Sequence, residues 1–355
     1  MLDIFNRWFQ RHFSDPQVVF LVVFLILSFS IVIAFNDTLT PVFASIVIAY
    51  LLEGIVVLSS KVIKHRLASV LIVYIGFMLV FMITLFVITP LLWVQVTDLV
   101  TETPKYIEQG RQLLLQLPTN YSFISEQAVI DFIALLQSEV TSMGKLVLAF
   151  SLNSIQSSIT ILIYLVLAPL LVFFFLKDKD KILGWLMRFF PKNTQLSTQV
   201  WKEMDLQIGN YVRGKFWEIT IISVLCYITF TFLGLKYALL ISILVGLSVV
   251  VPYIGATVVT LPVALIAFFQ WGWTTDFAWL MLAYGIIQAL DGNVIVPLLF
   301  SEVVNLHPVA IIVAILFFGG LWGFWGIFFA IPLGTLVSSV IRAWPSLPPE
   351  KENEA

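Results

Sequence analysis

The chain has 355 residues, 60% of them hydrophobic and 11% charged, with a mean hydropathy of +1.01. Soluble domains carry about 25% charged residues, so this composition excludes an ordinary globular core and places the chain among polytopic helical membrane proteins. A net charge of −2 argues against a nucleic-acid surface, and the single cysteine, Cys226, excludes an intrachain disulfide or a cysteine metal cluster. Cys226 lies in an apolar run and reads as a packing residue.

Residues 1–17 interleave Phe5, Trp8, Phe9 and Phe13 with Arg7, Arg11 and His12, which suits a short interfacial helix on the cytoplasmic side. Residues 18–93 read as three spans: Val18–Phe35, Pro41–Leu58 and Ala68–Trp93. The first run ends in Asn36-Asp37-Thr38 without a cleavage motif, so it is a retained helix and not a signal peptide. A five-residue turn, Asn36–Thr40, is expected before Pro41. It has no basic residue, whereas the loop Ser59–Leu67 has Lys61, Lys64 and Arg66, which puts the N-terminus and that loop in the cytoplasm. Glu53 is expected to pair with Lys61 or Lys64.

Residues 94–145 form a polar external segment with two amphipathic parts, the second marked by Val129, Phe132, Ile133, Leu136, Val140 and Met143 at helical spacing. Residues 146–176 hold span 4, followed by Lys177-Asp178-Lys179-Asp180-Lys181, a cytoplasmic flank. In the basic segment 177–218, Leu196, Val200, Met204, Ile208 and Tyr211 share one helical face. Arg213 and Lys215 read as topology anchors before span 5.

Residues 219–341 are the core, and 342–355 are a disordered tail. From Tyr237 to Ile341 there is no Lys or Arg, and the ionisable residues are Asp276, Asp291, Glu302 and His307. The run 238–269 is longer than one ordinary span, since about 20 residues cross a core of about 30 Å. It contains Val251-Pro252-Tyr253-Ile254-Gly255. The run 309–341 repeats the anomaly around Phe318-Gly319-Gly320-Leu321-Trp322-Gly323-Phe324-Trp325-Gly326. Each is either a re-entrant hairpin or one tilted, broken helix. Between them a span is expected to break at Asp291-Gly292-Asn293. Discontinuous helices free backbone groups for solutes, and transporters place their sites there. The expected fold is therefore all-α, with about eight membrane segments including broken or re-entrant helices, plus the small amphipathic external segment.

Asn210-Tyr211-Val212-Arg213-Gly214-Lys215, Leu233-Gly234-Leu235-Lys236-Tyr237-Ala238, the Pro252–Gly255 motif, Gln288-Ala289-Leu290-Asp291-Gly292-Asn293-Val294-Ile295-Val296-Pro297 and Leu306-His307-Pro308 follow in order. In this the chain resembles the AI-2E family, the autoinducer-2 exporter or PerM-like permease family. The likeness is most specific over residues 210–335. It implies a bacterial inner-membrane protein and a homo-oligomer, a pentamer by analogy. Activities within the family divide between export of autoinducer-2 and sodium(lithium)/proton antiport.

The candidate pathway residues are Pro252, Tyr253, Gly255, Asp291, Gly292, Asn293, Glu302, His307, Gly323 and Gly326. Asp291 has two compatible readings: an ionisable group on a solute or ion path, or a helix cap with Gly292 as its turn. Asn293 either contacts a ligand or satisfies a freed backbone group. Glu302 and His307 are a proton relay or a solvated loop, with His307-Pro308 starting a helix. Gly323 and Gly326 serve a pathway or close packing.

No metal-ligand spacing, catalytic constellation or nucleotide-binding Gly-rich loop is present in the sequence, so no metal, cofactor, ATP-driven transport or enzymatic role is expected. The expected partners are lipid, a second copy of the chain, and a small-molecule or cation substrate. Three functions follow: an exporter of a small polar organic solute, a cation/proton antiporter using Asp291, or a non-transporting scaffold.

Overall fold

The structure, a computed structural model, describes residues 16–116, 125, 127, 129–131, 133–135, 138, 154–189, 195–300 and 306–343. Among them there is no strand. Helices α1 (Pro16–Ala34) and α2 (Asn36–Ser60) are followed by α3 (Arg66–Ile83), a π-turn at Thr84–Ile88 and α4 (Thr89–Leu115). Next come α5 (Ser154–Lys177), α6 (Lys179–Leu186), a short 3₁₀ turn (Met187–Phe189) and α7 (Gln195–Phe232). The chain continues with α8 (Ala238–Ser248), α9 (Ile254–Trp271), α10 (Thr275–Leu290), a π-turn at Asp291–Ile295, α11 (Val296–Phe300), α12 (Pro308–Phe328) and α13 (Ala330–Ala343). By length and composition six stretches among the described residues could cross a membrane, one of them, Pro308–Phe328, counted through its kink at Gly323, and the bent α5–α6 pair adds a seventh. In lipid only a helix satisfies its backbone internally, which is why apolar runs of this length take this form.

The helices are longer than the hydrophobic pattern implied. The turn expected at Asn36–Thr40 is helical, and only Phe35, at φ −116° and ψ 24°, interrupts the path from α1. Asn36, Asp37 and Thr38 are therefore the first turn of α2, and Pro41 lies inside that helix. The polar residues after Trp93 continue the same rod: α3, its π-turn and α4 run without a loop from Arg66 to Leu115, about 75 Å at 1.5 Å per residue. Likewise α7 has 38 residues, so the amphipathic face at Met204–Tyr211 leads into the apolar run after Glu218 without a break. Within residues 94–145, Val129 and Ile133 are buried, consistent with an apolar face there. Phe132, Leu136, Val140 and Met143 lie outside the described residues, as do residues 1–15 and the tail.

Both π-turns precede a proline. Pro90 follows Thr84–Ile88 by two residues, and Pro297 follows Asp291–Ile295 by two. A proline ring collides with the carbonyl four residues back, and the wider π-turn opens that position. Thr84 O takes the Thr89 N–H, and polar side chains add further bonds to backbone carbonyls beside each turn. Thr89 Oγ1 donates to Thr84 O at 2.9 Å, and Asn293 Nδ2 donates to Ala289 O at 2.8 Å.

The chain divides into two compact units. One comprises residues 1–74, 168–217 and 295–355, and the other residues 75–167 and 218–294. The second unit's core includes Ile222, Phe230, Val245, Val263, Leu280 and Tyr284, all essentially fully buried. The first unit packs Val56, Val70, Val172, Leu176 and Tyr211 in the same way.

Candidate functional site

The two over-long segments are helical hairpins. In the second unit α9 returns against α8 around a tip at Val249–Tyr253. A Cβ on Gly255 would overlap Ser248 O, so only glycine permits that approach. At the tip Ile254 N donates to Pro252 O at 2.7 Å, closing a γ-turn on Tyr253, whose φ is +64° and ψ −47°. For a non-glycine residue this is a strained conformation. Tyr253 is held in it while 60% exposed.

In the first unit Gly323 has φ 57° and ψ −134°, a combination that side-chain-bearing residues avoid, and α12 reverses there. Gly326 then lies on Phe318 O, Gly319 faces Ile327, and Gly334 of α13 faces Ala314. The arm Pro308–Trp322 is about 22 Å long and α13 about 21 Å, each short of a core of about 30 Å. Around the tip, Phe43 packs edge-on against Trp322 at 4.7 Å, and Trp322 and Trp325 stack on Phe329.

Asp291 opens the π-turn and is buried at 8% exposure in the second unit. The expected break there is absent: α10, the π-turn and α11 are one helical rod, and the boundary between the two units falls within the turn. Asp291 has helical φ and ψ of −57° and −59°, so it is not an N-cap. Gly292 and Asn293 are exposed. A Cβ on Gly292 would meet nothing within 4 Å, so no turn requires that glycine. Asn293 spends its amide on the Ala289 carbonyl. On neighbouring helices, Thr260 and Tyr284 hydrogen bond at 3.0 Å and tie α9 to α10.

The other expected residues lie in the first unit. His307 is the N-cap of α12: its backbone is extended, its Nδ1 accepts from Val309 N at 3.3 Å, and Pro308 takes the first helical position. Glu302 lies outside the described residues. Asp291 and the Pro252–Gly255 tip therefore belong to one unit, and His307, Gly323 and Gly326 to the other.

Several polar residues were misread in the sequence. Glu53 does not use Lys61 or Lys64. Its Oε1 pairs with Arg66 at 3.3 Å and Lys179 at 3.5 Å, and Arg66 also reaches Asp180 at 3.2 Å. The basic loop and the flank after span 4 are thereby tied together. Lys215, read as a topology anchor, is buried at 3% exposure, with Nζ 5.1 Å from the Phe300 ring centre. Gly214 beside it leaves no room for a Cβ against Phe300. Arg213 donates to Asn210 at 2.8 Å.

The irregular stretch before α8 shows how loop polarity is met. Gln270 accepts from Lys236 N and donates to Gly234 O, both at 2.8 Å, and Gln95 accepts from Leu240 N at 2.9 Å. Glu102, nine residues past the apolar run that ends at Trp93, accepts from Tyr106 at 2.7 Å and from Lys236 at 3.1 Å. The hydrogen bond from Tyr106, then that from Lys236, holds its carboxyl down at about 2. A depressed carboxylate contributes stability above the unfolded value of 4.5, and loses it as pH falls towards about 2. Glu102→Gln is therefore expected to lower the Tm of the solubilised chain at pH 7, with the gap to the native chain closing as the scans move to pH 3. An unchanged gap would remove this contact from the account.

A family model described as "AI-2E family transporter" matches residues 18–346. The chain is 44% identical over 349 residues to the "Putative permease PerM" of Escherichia coli K12, covering 97% of this chain and 98% of that protein. It is 25% identical over 349 residues to the "Putative transport protein YueF" of Bacillus subtilis 168, covering 92% of each. A second protein of that strain, "Putative transport protein YrrI", is 27% identical over 303 residues and 82% of each chain. With a helical architecture of long apolar spans already established, this match over nearly the whole length makes the chain a multi-pass membrane transporter of the AI-2E family.

Proposed function

We propose that the protein exports a small polar organic solute, such as autoinducer-2, across the bacterial inner membrane, with its N-terminus in the cytoplasm. The observation that carries this reading is Asp291, a carboxyl buried at a π-turn midway along a mostly apolar helical rod. An ionisable group is costly at such a depth and marks a solute or proton path. π-turns inside α-helices cluster at functional sites. In the same unit, the strained Tyr253 tip offers an exposed aromatic residue as a second candidate contact for a solute. The chain acts as a homo-oligomer, a pentamer by its resemblance to the family, and native mass spectrometry of the solubilised protein counts the subunits.

Sodium(lithium)/proton antiport is the second reading, and the titratable carboxyl of Asp291 favours it. Asn293 does not decide between them: its Nδ2 is held by Ala289 O, whereas a cation would be taken by Oδ1. Everted vesicles separate the two. Labelled autoinducer-2 is expected to accumulate in vesicles with the native chain and to fall to background with Asp291→Asn. Collapse of an imposed pH gradient by sodium or lithium, with the native chain only, would instead establish antiport. Neither response from an inserted, assembled protein would defeat both readings and leave a scaffold.

A further inference from the structure

Among the described residues three charged side chains are buried: Lys215 at 3% exposure, Glu218 at 2% and Asp291 at 8%. Hydrophobic pattern alone puts Glu218 at the edge of a span, as the last residue of the segment 177–218. The structure moves it. Because α7 is continuous, Met204–Phe232 is a single membrane-crossing stretch of 29 residues, and Glu218 stands midway between its ends. A carboxyl is costly at such a depth and reads as functional there. Glu218 and Asp291 both belong to the second unit.

Glu218, Ile222, Cys226 and Phe230 lie four residues apart on one ridge of α7, and the last three are fully buried. Contacts within the second unit set the register of α7 against α10. Gln270 bonds Gly234 O and Lys236 N, so α10 starts beside the end of α7 and runs antiparallel to it. The Phe230 and Tyr284 rings lie 6.2 Å apart. Counting on from Tyr284, Asp291 comes level with Ser223 and within electrostatic reach of Cys226. Glu218 is then about five residues, or roughly 8 Å, from the level of Asp291. Helix α8 packs on α7 where Gly246 meets Ser223, and neither α8 nor α9 carries an ionisable side chain. The titratable groups around Glu218 are therefore Tyr211 and Lys215 earlier on α7, Cys226, Tyr284 and Asp291.

The charges do not balance as they stand. Two carboxylates against one ammonium leave an excess negative charge in an apolar interior, and a single proton on either carboxyl removes it. Burial disfavours unbalanced charge, and two acids held this near one another titrate as a pair. We propose that Glu218 is a second coupling residue of transport, sharing one exchangeable proton with Asp291 while Lys215 keeps the other carboxyl ionised. Water supplies the proton and takes it back, and no covalent bond to the solute is made. The coupling rests on the reading of Asp291 as a residue of the transport path.

Infrared spectroscopy of the full chain in nanodiscs at neutral pH reads the proton directly, whichever solute is carried. A protonated carboxyl shows a carbonyl stretch that shifts in deuterium oxide. Subtracting the spectrum of a variant from that of the native chain gives the change in protonated carboxyls. Glu218→Gln and Asp291→Asn, both close in shape to the native residues, are each expected to lose one, because the carboxyl that remains ionises against Lys215. Lys215→Met is expected to gain one, since both carboxyls then stay protonated. No loss in Glu218→Gln, as a purely structural glutamate would give, overturns the proposal. Flux of labelled autoinducer-2 in everted vesicles tests the coupling. Glu218→Gln is expected to fall to the level of Asp291→Asn, with Glu218→Asp restoring part of the rate. If Asp291→Asn alone stops flux, the path reading stands and Glu218 drops out. If neither variant slows it, the path reading itself falls.

Discussion

A chain carrying Gly326→Val is expected to lose about 3 kcal/mol or more of stability, the upper range for overpacking a closed contact, and to reach the membrane in reduced amount. The reason is local. The position a Cβ would occupy on Gly326 is filled by Phe318 O and the neighbouring Gly319 backbone, and backbone in a packed hairpin has nowhere to retreat. Gly323→Ala is expected to cost roughly 1–3 kcal/mol, because it forces a side-chain-bearing residue into φ 57° and ψ −134°. Gly320 is the control. It lies one turn away in α12 with nothing within 4 Å of its Cβ position, so Gly320→Ala is expected to be neutral, or stabilising by about 0.5–1 kcal/mol. Chemical denaturation in mixed micelles orders the three. If Gly326→Val and Gly320→Ala unfold alike, the hairpin does not close as described.

The π-turn carries the larger functional expectation. Its two ends are held separately: α10 through Leu280, Tyr284 and Ile287, and α11 through Phe300 against Tyr211. A π-turn holds one more residue than an α-turn, so removing it in place would rotate one end by about 100°. Deleting Gly292 while replacing Pro297 with alanine removes the extra residue and the ring that demands it. Both ends then keep their faces on a plain α-helix. That double variant is expected to insert and assemble normally, yet to transport at least about tenfold more slowly, because Asp291 no longer sits at a widened turn; small misplacements of a reacting group carry penalties of this order or larger. Flux in everted vesicles, with chemical crosslinking as the assembly control, measures both quantities. Full flux from the double variant would show that the π-turn only accommodates Pro297.

The fold class, the spans and the unusual C-terminal block were legible because lipid leaves a chain so little choice. Runs of about 20 apolar residues must be helical, and glycine and proline inside such runs mark places where the helix gives way. The Pro252–Gly255 and Gly323–Gly326 motifs were visible for that reason. Whether each run crosses or turns back was not legible. That depended on contacts such as Gly255 with Ser248 and Gly326 with Phe318, seven and eight residues apart, which no local pattern records. Asp291-Gly292-Asn293 looked like a break because all three residues disfavour helix interiors. A π-turn absorbs them instead, and the signal that announces it is Pro297, six residues after Asp291 and matched by Pro90 after Thr84.

Charge was the hardest feature to place. Counting basic residues between spans is a one-dimensional exercise, and it made Lys215 a topology anchor and gave Glu53 a partner in the loop that follows its own span. In three dimensions Lys215 is buried against Phe300, and Glu53 takes Lys179 from 126 positions away. Composition settles that this chain lives in a bilayer, since burying so much apolar surface is favourable there whatever the detailed packing. Which ionisable groups are sheltered, and by which partners, is decided only when distant helices meet, because those energies depend on distance and dielectric.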